Sequence, residues 1–299
     1  MTRREEQEVA KQFLDVFAGI LFNNRHFDVG DNREVVYNFD CPEFVTLREK
    51  YNLEKIAGKG SDYVKAKRLL HYLAPRLTHE SNYDNHVPCN ALDLLEYSFD
   101  NPAQGINCLN KAKILQECCL ALGIYARRVF IMPYSPYDFD NHVVTEIYDR
   151  TSEKWIMLDP SSDGLFVDEN GIPLSLFEMR EKFAGSEFVT YVRSIDRLKD
   201  LSKLREKYMD QNAYICKNLF FFYVDGDSTF GTTDNDLAFV PENYSIKEKL
   251  IANLKYRIRN LPDEYKEYIV HFENQLDEMK DYRENKRTNV DSMLKSPIK

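Results

Sequence analysis

A chain of 299 residues with 43% hydrophobic and 30% charged residues can bury a sizeable core, as one large domain or two modest ones, and has an ordinary globular mixture. Its 19 tyrosines and 19 phenylalanines argue against disorder along the whole chain, and a net charge of -9 argues against non-specific nucleic-acid binding, which needs basic patches. No window of about 18 apolar residues is available to span a membrane. The N-terminal MTRREEQEVAKQF lacks the apolar stretch of a secretory signal. The six cysteines include no C-x-x-C pair and are too few for a disulfide scaffold, so the expectation is a cytoplasmic protein with reduced thiols.

In chain order, Val9, Phe13, Val16, Phe17, Ile20 and Leu21 recur at helical spacing and predict an amphipathic helix over roughly 4–23. REVVYNF (33–39) predicts a short strand. Residues 43–56 and 61–77 predict two helices, the second opening at Ser61-Asp62 and ending near Pro75. PCNALDLLEYSF (88–99) predicts another, with Ala91, Leu94, Leu95 and Phe99 on one side.

GINCLNKAKILQECCLALGIYARRV (105–129) follows. Asn107 is a good N-cap, and Cys108, Ala112, Leu115, Cys119 and Leu122 are spaced 4, 3, 4 and 3 apart, one stripe of a helix. Gly123 stops it, with Ile124 placed for the usual contact after a glycine cap. The predicted helix is 108–122, with Cys108 in its first turn.

The period then changes. ARRVFIM (126–132), HVVTEIY (142–148) and KWIMLD (154–159) read as strands, and PYSPYDFDN (133–141) as a loop. DRTSE (149–153) turns the second and third strands into a hairpin. A helix followed by antiparallel strands is an α+β order. Beyond it come a turn at Asn170-Gly171, helices near 174–183 and 196–210, and strands at 218–224 (NLFFFYV) and 236–240 (DLAFV). Charged helices over 246–282, broken near Pro262, precede a tail, 284–299, that reads as frayed.

The chemistry concentrates in 105–160. A thiol attacks as a thiolate, which a helix N-terminus favours through its unpaired N–H groups and dipole. The same N–H groups can hold an oxyanion. His142 begins one strand and Asp159 ends the next. Pairing Ile147 with Lys154 sets His142 opposite Asp159, close enough for the carboxylate to fix the imidazole. A slip of one residue would send Asp159 to the other face. A cysteine on an inward helix stripe is by itself a packing residue; it is the three residues together that point to catalysis. Cys118 and Cys119, mid-helix, are read as packing. His86 and Cys89 form an H-x-x-C pair, but no second close pair completes a metal site, so neither a metal nor an organic cofactor is expected. Glu146 and Asp140 are read as hairpin and loop charges.

Three segments, 105–129, NHVVTEIY (141–148) and KWIMLDPS (154–161), resemble the core of the transglutaminase-like superfamily of papain-type thiol enzymes, of bacterial type. The Cys at a helix entry, the Leu-Gly-Ile-x-Ala-Arg exit, the strand beginning with His and the Trp-x-x-Leu-Asp-Pro strand are all present in family order. The resemblance implies Cys108 as nucleophile, His142 as base and Asp159 as orienting residue. It implies a papain/transglutaminase-like α+β core, with a catalytic-Cys helix packed on an antiparallel sheet and additional N- and C-terminal helices. The boundaries expected are 1–60 for an N-terminal helical extension packing on the core, 61–245 for the transglutaminase-like core and 246–299 for a C-terminal helical segment. Members commonly carry an aromatic, often Trp, upstream of the Cys on the oxyanion side. The sole Trp here is Trp155, so Tyr72 is a candidate stand-in, and Tyr72 and Asn107 are the weak substrate or oxyanion candidates. Leu109 stands where many bacterial members place an acidic residue.

The expected activity is thiol-dependent acyl transfer from an amide or peptide carbonyl, hydrolysis before transamidation. The substrate would be a peptide, a protein or a small amide, with no nucleic acid or membrane partner. The alternative is a non-catalytic binding or assembly module on the same fold.

Overall fold

The computed structural model describes residues 2–27, 30–196, 200–234, 237–280 and 286–298. Its helices are α1 (Arg3–Phe22), α2 (Pro42–Lys50), α3 (Leu53–Ala57), α4 (Asp62–Leu73), α5 (Ala91–Ser98), α6 (Cys108–Ala121), α7 (Leu176–Ala184), α8 (Leu201–Lys207), α9 (Met209–Asn218), α10 (Ile246–Asn260), α11 (Ile269–Glu278) and α12 (Asp291–Leu294). Its strands are β1 (Val36–Tyr37), β2 (Ala126–Met132), β3 (His142–Asp149), β4 (Lys154–Leu158), β5 (Gly164–Val167), β6 (Thr190–Arg193), β7 (Phe221–Val224), β8 (Asp227–Ser228) and β9 (Leu237–Phe239).

The fold is α+β. A five-stranded antiparallel sheet, ordered β4-β3-β2-β7-β9, carries helices on both faces. On one face, Leu69, Leu70 and Leu73 of α4, Leu94 and Leu95 of α5, and Leu115, Cys118 and Cys119 of α6 pack against Ala126, Ile147, Ile156 and Leu158. On the other, Leu14 and Leu21 of α1, Met179 and Phe183 of α7, and Ile215 and Cys216 of α9 pack against Val129, Val144, Met157, Phe222 and Phe239. Successive side chains of a strand point to opposite faces, so β3 sends Val144 into one core and Ile147 into the other.

α6 matches its sequence reading closely. Asn107 caps it, accepting from the Asn110 N–H at 3.3 Å, and the chain leaves through Gly123 at φ 68°, a left-handed position suited to glycine. The single apolar stripe understates its burial, because every residue from Asn110 to Ala121 is buried. The polar side is covered by the 228–232 segment. Lys113 and Glu117 form a fully buried ion pair at 3.1 Å; Lys113 also donates to the carbonyls of Thr229 and Thr232, and Glu117 accepts from the N–H groups of Ala91 and Gly231. Buried charges persist only with such pairing.

Several sequence expectations need correction. The helix at 43–56 is two helices, α2 and α3, because Asn52 turns left-handed at φ 52°. The helix expected at 61–77 ends at Leu73 and continues as a 3-10 turn to Arg76. The helix expected at 196–210 is α8 and α9, reaching Asn218, and residues 197–199 lie outside the described set, as does residue 236 of the last strand. The 246–282 helices divide as expected beside Pro262, α10 ending at Asn260, with 281 and 282 outside the described residues.

The tail is not frayed over its described residues, 286–298. Arg287 bridges Ala238, Thr288 bridges Asp31, Met293 is buried, and the Trp155 indole N–H donates to the Lys295 carbonyl at 3.0 Å. Backbone groups rather than side-chain periodicity dock this segment, so its composition gave no sign of it. The two-stranded β5-β6 sheet was also unanticipated.

Glu146 and Arg127 show how the tail joins the core. Arg127 donates to Glu146 Oε2 at 2.6 and 3.0 Å and to the Met293 carbonyl at 2.8 Å, and its guanidinium lies 3.8 Å from the Trp155 ring centroid. Glu146 Oε1 accepts from the Leu176 N–H that opens α7, at 2.8 Å. Glu146→Ala would strand a buried guanidinium and is expected to cost about 3–5 kcal/mol in urea denaturation. The double change Arg127→Met, Glu146→Leu should cost less than that single one.

Candidate active site

Three elements converge at the end of the sheet where β3 begins. Cys108 is the first residue of α6, His142 the first of β3, and Asp159 directly follows β4. His142 Nε2 lies 3.1 Å from Asp159 Oδ2, and the Cys108 thiol lines the same cleft close enough to raise the imidazole's pKa. Cys108 is half-buried, whereas His142 and Asp159 are 6% and 0% exposed.

The pairing that brings His142 to Asp159 differs from the one expected. The ladder pairs Thr145 with Leu158, Ile147 with Ile156 and Asp149 with Lys154, two residues from the Ile147–Lys154 register. The turn is tighter because Asp149 Oδ2 accepts from the Ser152 N–H and Oγ, and Glu153 adopts φ 51°, so the chain reverses within 150–153. Continuing the ladder one step sets Val144 across from Asp159 and leaves His142 on the diagonal. A two-residue shift keeps every side chain on its face, and long side chains reach a diagonal neighbour.

Asp159 is fixed from several sides. Oδ1 accepts from the Ser161 N–H at 2.9 Å, and Oδ2 from Ser162 Oγ at 2.8 Å besides His142. Tyr191 in turn donates to Ser162, its hydroxyl 2.7 Å from Ser162 Oγ and 2.8 Å from the Ser162 carbonyl. The Tyr191 ring occupies the space that a Cβ on Gly164 would need. Gly164 and Asp159 exchange backbone hydrogen bonds of 2.8 and 3.1 Å, which closes the loop carrying both serines.

Burial opposes charge on both members of the pair, but mutual attraction outweighs it. For His142, burial lowers the pKa, while the Asp159 carboxylate, the hydrogen bond to it and the Cys108 thiol raise it further, to about 10. For Asp159, burial pushes the carboxyl up, while His142 and the hydrogen bonds from it, Ser162 and the Ser161 amide hold it below its ordinary value. At neutral pH the imidazole beside the sulfur is therefore positive, the electrostatic setting a thiol nucleophile needs.

The site opens into a cleft of about 370 Å³ lined by apolar Leu109, Phe130, Phe139, Val143 and Tyr214 and by polar His79, Ser81, Asn107, Asp140 and Asn141. The Tyr214 ring meets the His142 ring edge-on at 5.7 Å, and its hydroxyl is 3.2 Å from Asp140 Oδ1. Lys217 holds Asp138 at 2.9 Å and Asp140 at 3.3 Å, pinning the 133–141 loop to α9.

Of the weaker candidates, Asn107 is at the cleft, where its Oδ1 caps α6 and its Nδ2 donates to Asn85. Tyr72 is not among the cleft residues. Its ring lies 5.9 Å from that of Phe99 and is covered by Arg76 at 4.1 Å. The upstream residues that line the cleft with Cys108 are His79 and Ser81, in a segment whose short bridge to Ile106 leaves no hydrophobic period to read. Tyr191 and Ser162 were missed for the same reason: their partnership arises from the β5–β6 pairing.

His86 bonds Asp84, and Cys89 lies beside Arg128. Among the described residues, no group of three or more His, Cys, Asp or Glu side chains is arranged to hold a metal, and no helix is long and apolar enough to cross a membrane.

Residues 49–160 match the family model of the transglutaminase-like superfamily. The match runs from the end of α2 to Pro160, well under half of the chain, and contains Cys108, His142 and Asp159. Over these residues the chain is similar to a transglutaminase-like core. A solved structure from Cytophaga hutchinsonii, described provisionally as a cysteine protease, is similar at 18% identity over 56% of this chain and 58% of its own, with a TM-score of 0.32. A likeness that distant carries no argument about activity. No curated protein matches the chain.

Two outcomes follow from this geometry. Gly164→Ala removes no polar group yet displaces Tyr191, so it should loosen the Ser162–Asp159–His142 chain and lower the rate of Cys108 alkylation by iodoacetamide several-fold. His142 has a folded pKa raised above its ordinary 6.5 to about 10, so its contribution to stability is complete below about 6.5 and is lost as pH rises through about 10. Unfolding free energy measured across that window should decline in the wild type more steeply than in Asp159→Asn.

Proposed function

We propose that this protein is a thiol-dependent acyl-transfer enzyme acting on an amide or peptide carbonyl through Cys108, His142 and Asp159. The observation that carries this reading is that one buried imidazole, His142, bonds the buried Asp159 carboxylate and shares the mouth of a cleft with the Cys108 thiol, which raises its pKa. A packing cysteine has no use for that arrangement. The transglutaminase-like family match supports the same class.

In this mechanism the Cys108 sulfur attacks the carbonyl carbon and the C=O pair moves onto oxygen. On collapse the C–N bond breaks, His142 gives its proton to the departing nitrogen, and a thioester and free amine result. Water then adds while His142 accepts its proton, the C–S bond breaks, and a carboxylic acid leaves. Asp159 keeps the imidazole oriented through both steps and stabilises its charge whenever it holds the second proton. Hydrolysis is the proposed outcome because water needs no dedicated site. The apolar wall formed by Leu109, Phe130, Phe139 and Val143 suits a peptide segment carrying an apolar side chain beside the acyl group.

The test is selective alkylation followed by substrate profiling. Iodoacetamide near neutral pH should modify Cys108 faster than Cys41 or Cys89, which are also half-buried, and His142→Ala should remove that preference. A peptide-amide library, with and without added amine, should then show release of acid that Cys108→Ala lowers by at least about 10⁴-fold. Equal, slow labelling of all three thiols would defeat the enzyme reading and leave the binding or assembly module.

A further inference from the structure

The acyl-transfer mechanism needs donors aimed at the oxygen that becomes negative. α6 supplies one side of such a site, because the Cys108 and Leu109 N–H groups lie in its first turn, where no carbonyl of the helix itself can reach them. The upstream aromatic suggested by family resemblance, Tyr72, is elsewhere. Resting on the enzyme reading above, we propose that His79, coupled to Ser81, is the second oxyanion donor, facing the Cys108 amide across the cleft.

Backbone geometry puts His79 there. Residues 78–80 run parallel to 105–107: the Ile106 N–H donates to the Thr78 carbonyl at 3.0 Å, the Glu80 N–H donates to the Ile106 carbonyl at 3.1 Å, and His79 bridges Ile106. Gly105 permits the approach, since a Cβ there would run into Glu80. His79 thus sits beside the residue two before Cys108, and His79, Ser81, Cys108 and His142 line one cleft.

The couple always keeps a donor to spare. His79 Nε2 is 3.1 Å from Ser81 Oγ. If the hydroxyl donates to Nε2, the neutral ring carries its proton on Nδ1, free to donate. If Nε2–H donates to the hydroxyl, the serine proton is the free one. The electrostatics keep the ring neutral. Burial lowers its pKa first, the Lys111 and His142 charges add to that, and Asp159 and Glu80 oppose them. Lys111, one turn along α6 from Cys108, is held by the Leu77 carbonyl at 2.6 Å, and its own pKa is pushed down to about 8, chiefly by burial. A neutral imidazole donates a hydrogen bond without competing with His142 for the thiol proton.

Alkylation and acylation separate the roles, because displacement of iodide from iodoacetamide forms no oxyanion whereas acylation by p-nitrophenyl acetate does. His79→Ala should slow acylation of Cys108 by about 10²-fold, His79→Gln should recover most of that rate through its side-chain N–H, and Ser81→Ala should fall between. Iodoacetamide labelling of Cys108 should stay within about twofold of wild type in all three. Equal acylation by wild type and His79→Ala would overturn the proposal, as would parallel loss of acylation and alkylation, which marks a structural role. Wild type that is neither selectively alkylated nor acylated would instead overturn the enzyme reading itself.

Discussion

Asp159 is a carboxylate with no exposure to water, and burying such a group without partners costs several kcal/mol. Much of the surrounding structure exists to meet that cost. His142 must come to it charged, the 161–164 loop must turn back to offer an amide and a hydroxyl, and Tyr191 must lie over Gly164 to hold that hydroxyl. The reacting end of the molecule is therefore stabilised by its chemistry. A carboxylate that needed less help would leave the imidazole free to rotate away from the thiol.

α6 answers a second constraint. A helix that presents a cysteine at its tip must be fixed in position, yet this one carries Lys111, Lys113, Gln116 and Glu117 among its buried residues. Each is matched by a backbone group or a neighbour: Lys111 by the Leu77 carbonyl, Gln116 by Ser228, and Lys113 and Glu117 by each other and by the 229–232 segment. Removing one of these partners leaves a buried charge or amide without its hydrogen bond, so the helix has few ways to shift. Thr145 of β3 adds a direct tie, its hydroxyl donating to the Ala112 carbonyl at 2.9 Å.

Local order was readable wherever side-chain period and caps carry it. The 108–122 helix, its Asn107 cap and Gly123 exit, the three following strands and the α+β order all follow from spacing and turn chemistry, whereas the grouping of Cys108, His142 and Asp159 was implied by the family resemblance. Partnerships made by backbone were not readable. The β3–β4 register depended on an Asp149–Ser152 interaction that shortens the turn, and only the even size of the shift preserved the face. Tyr72 looked right because its position in sequence is all a sequence offers, whereas the cleft is chosen by the Thr78–Ile106 pairing. The tail lacked periodicity because its attachments at Arg287, Thr288 and Lys295 are carbonyl and amide contacts.

That tail also orders events in time. Arg127 and Glu146 leave the ribosome together, near the middle of the chain, but the Met293 carbonyl that completes their hydrogen-bonding lies almost 150 residues further on. Asp31 likewise waits for Thr288. During synthesis from the N-terminus the sheet that carries His142 is therefore made well before the segment that completes the Arg127–Glu146 hydrogen bonding.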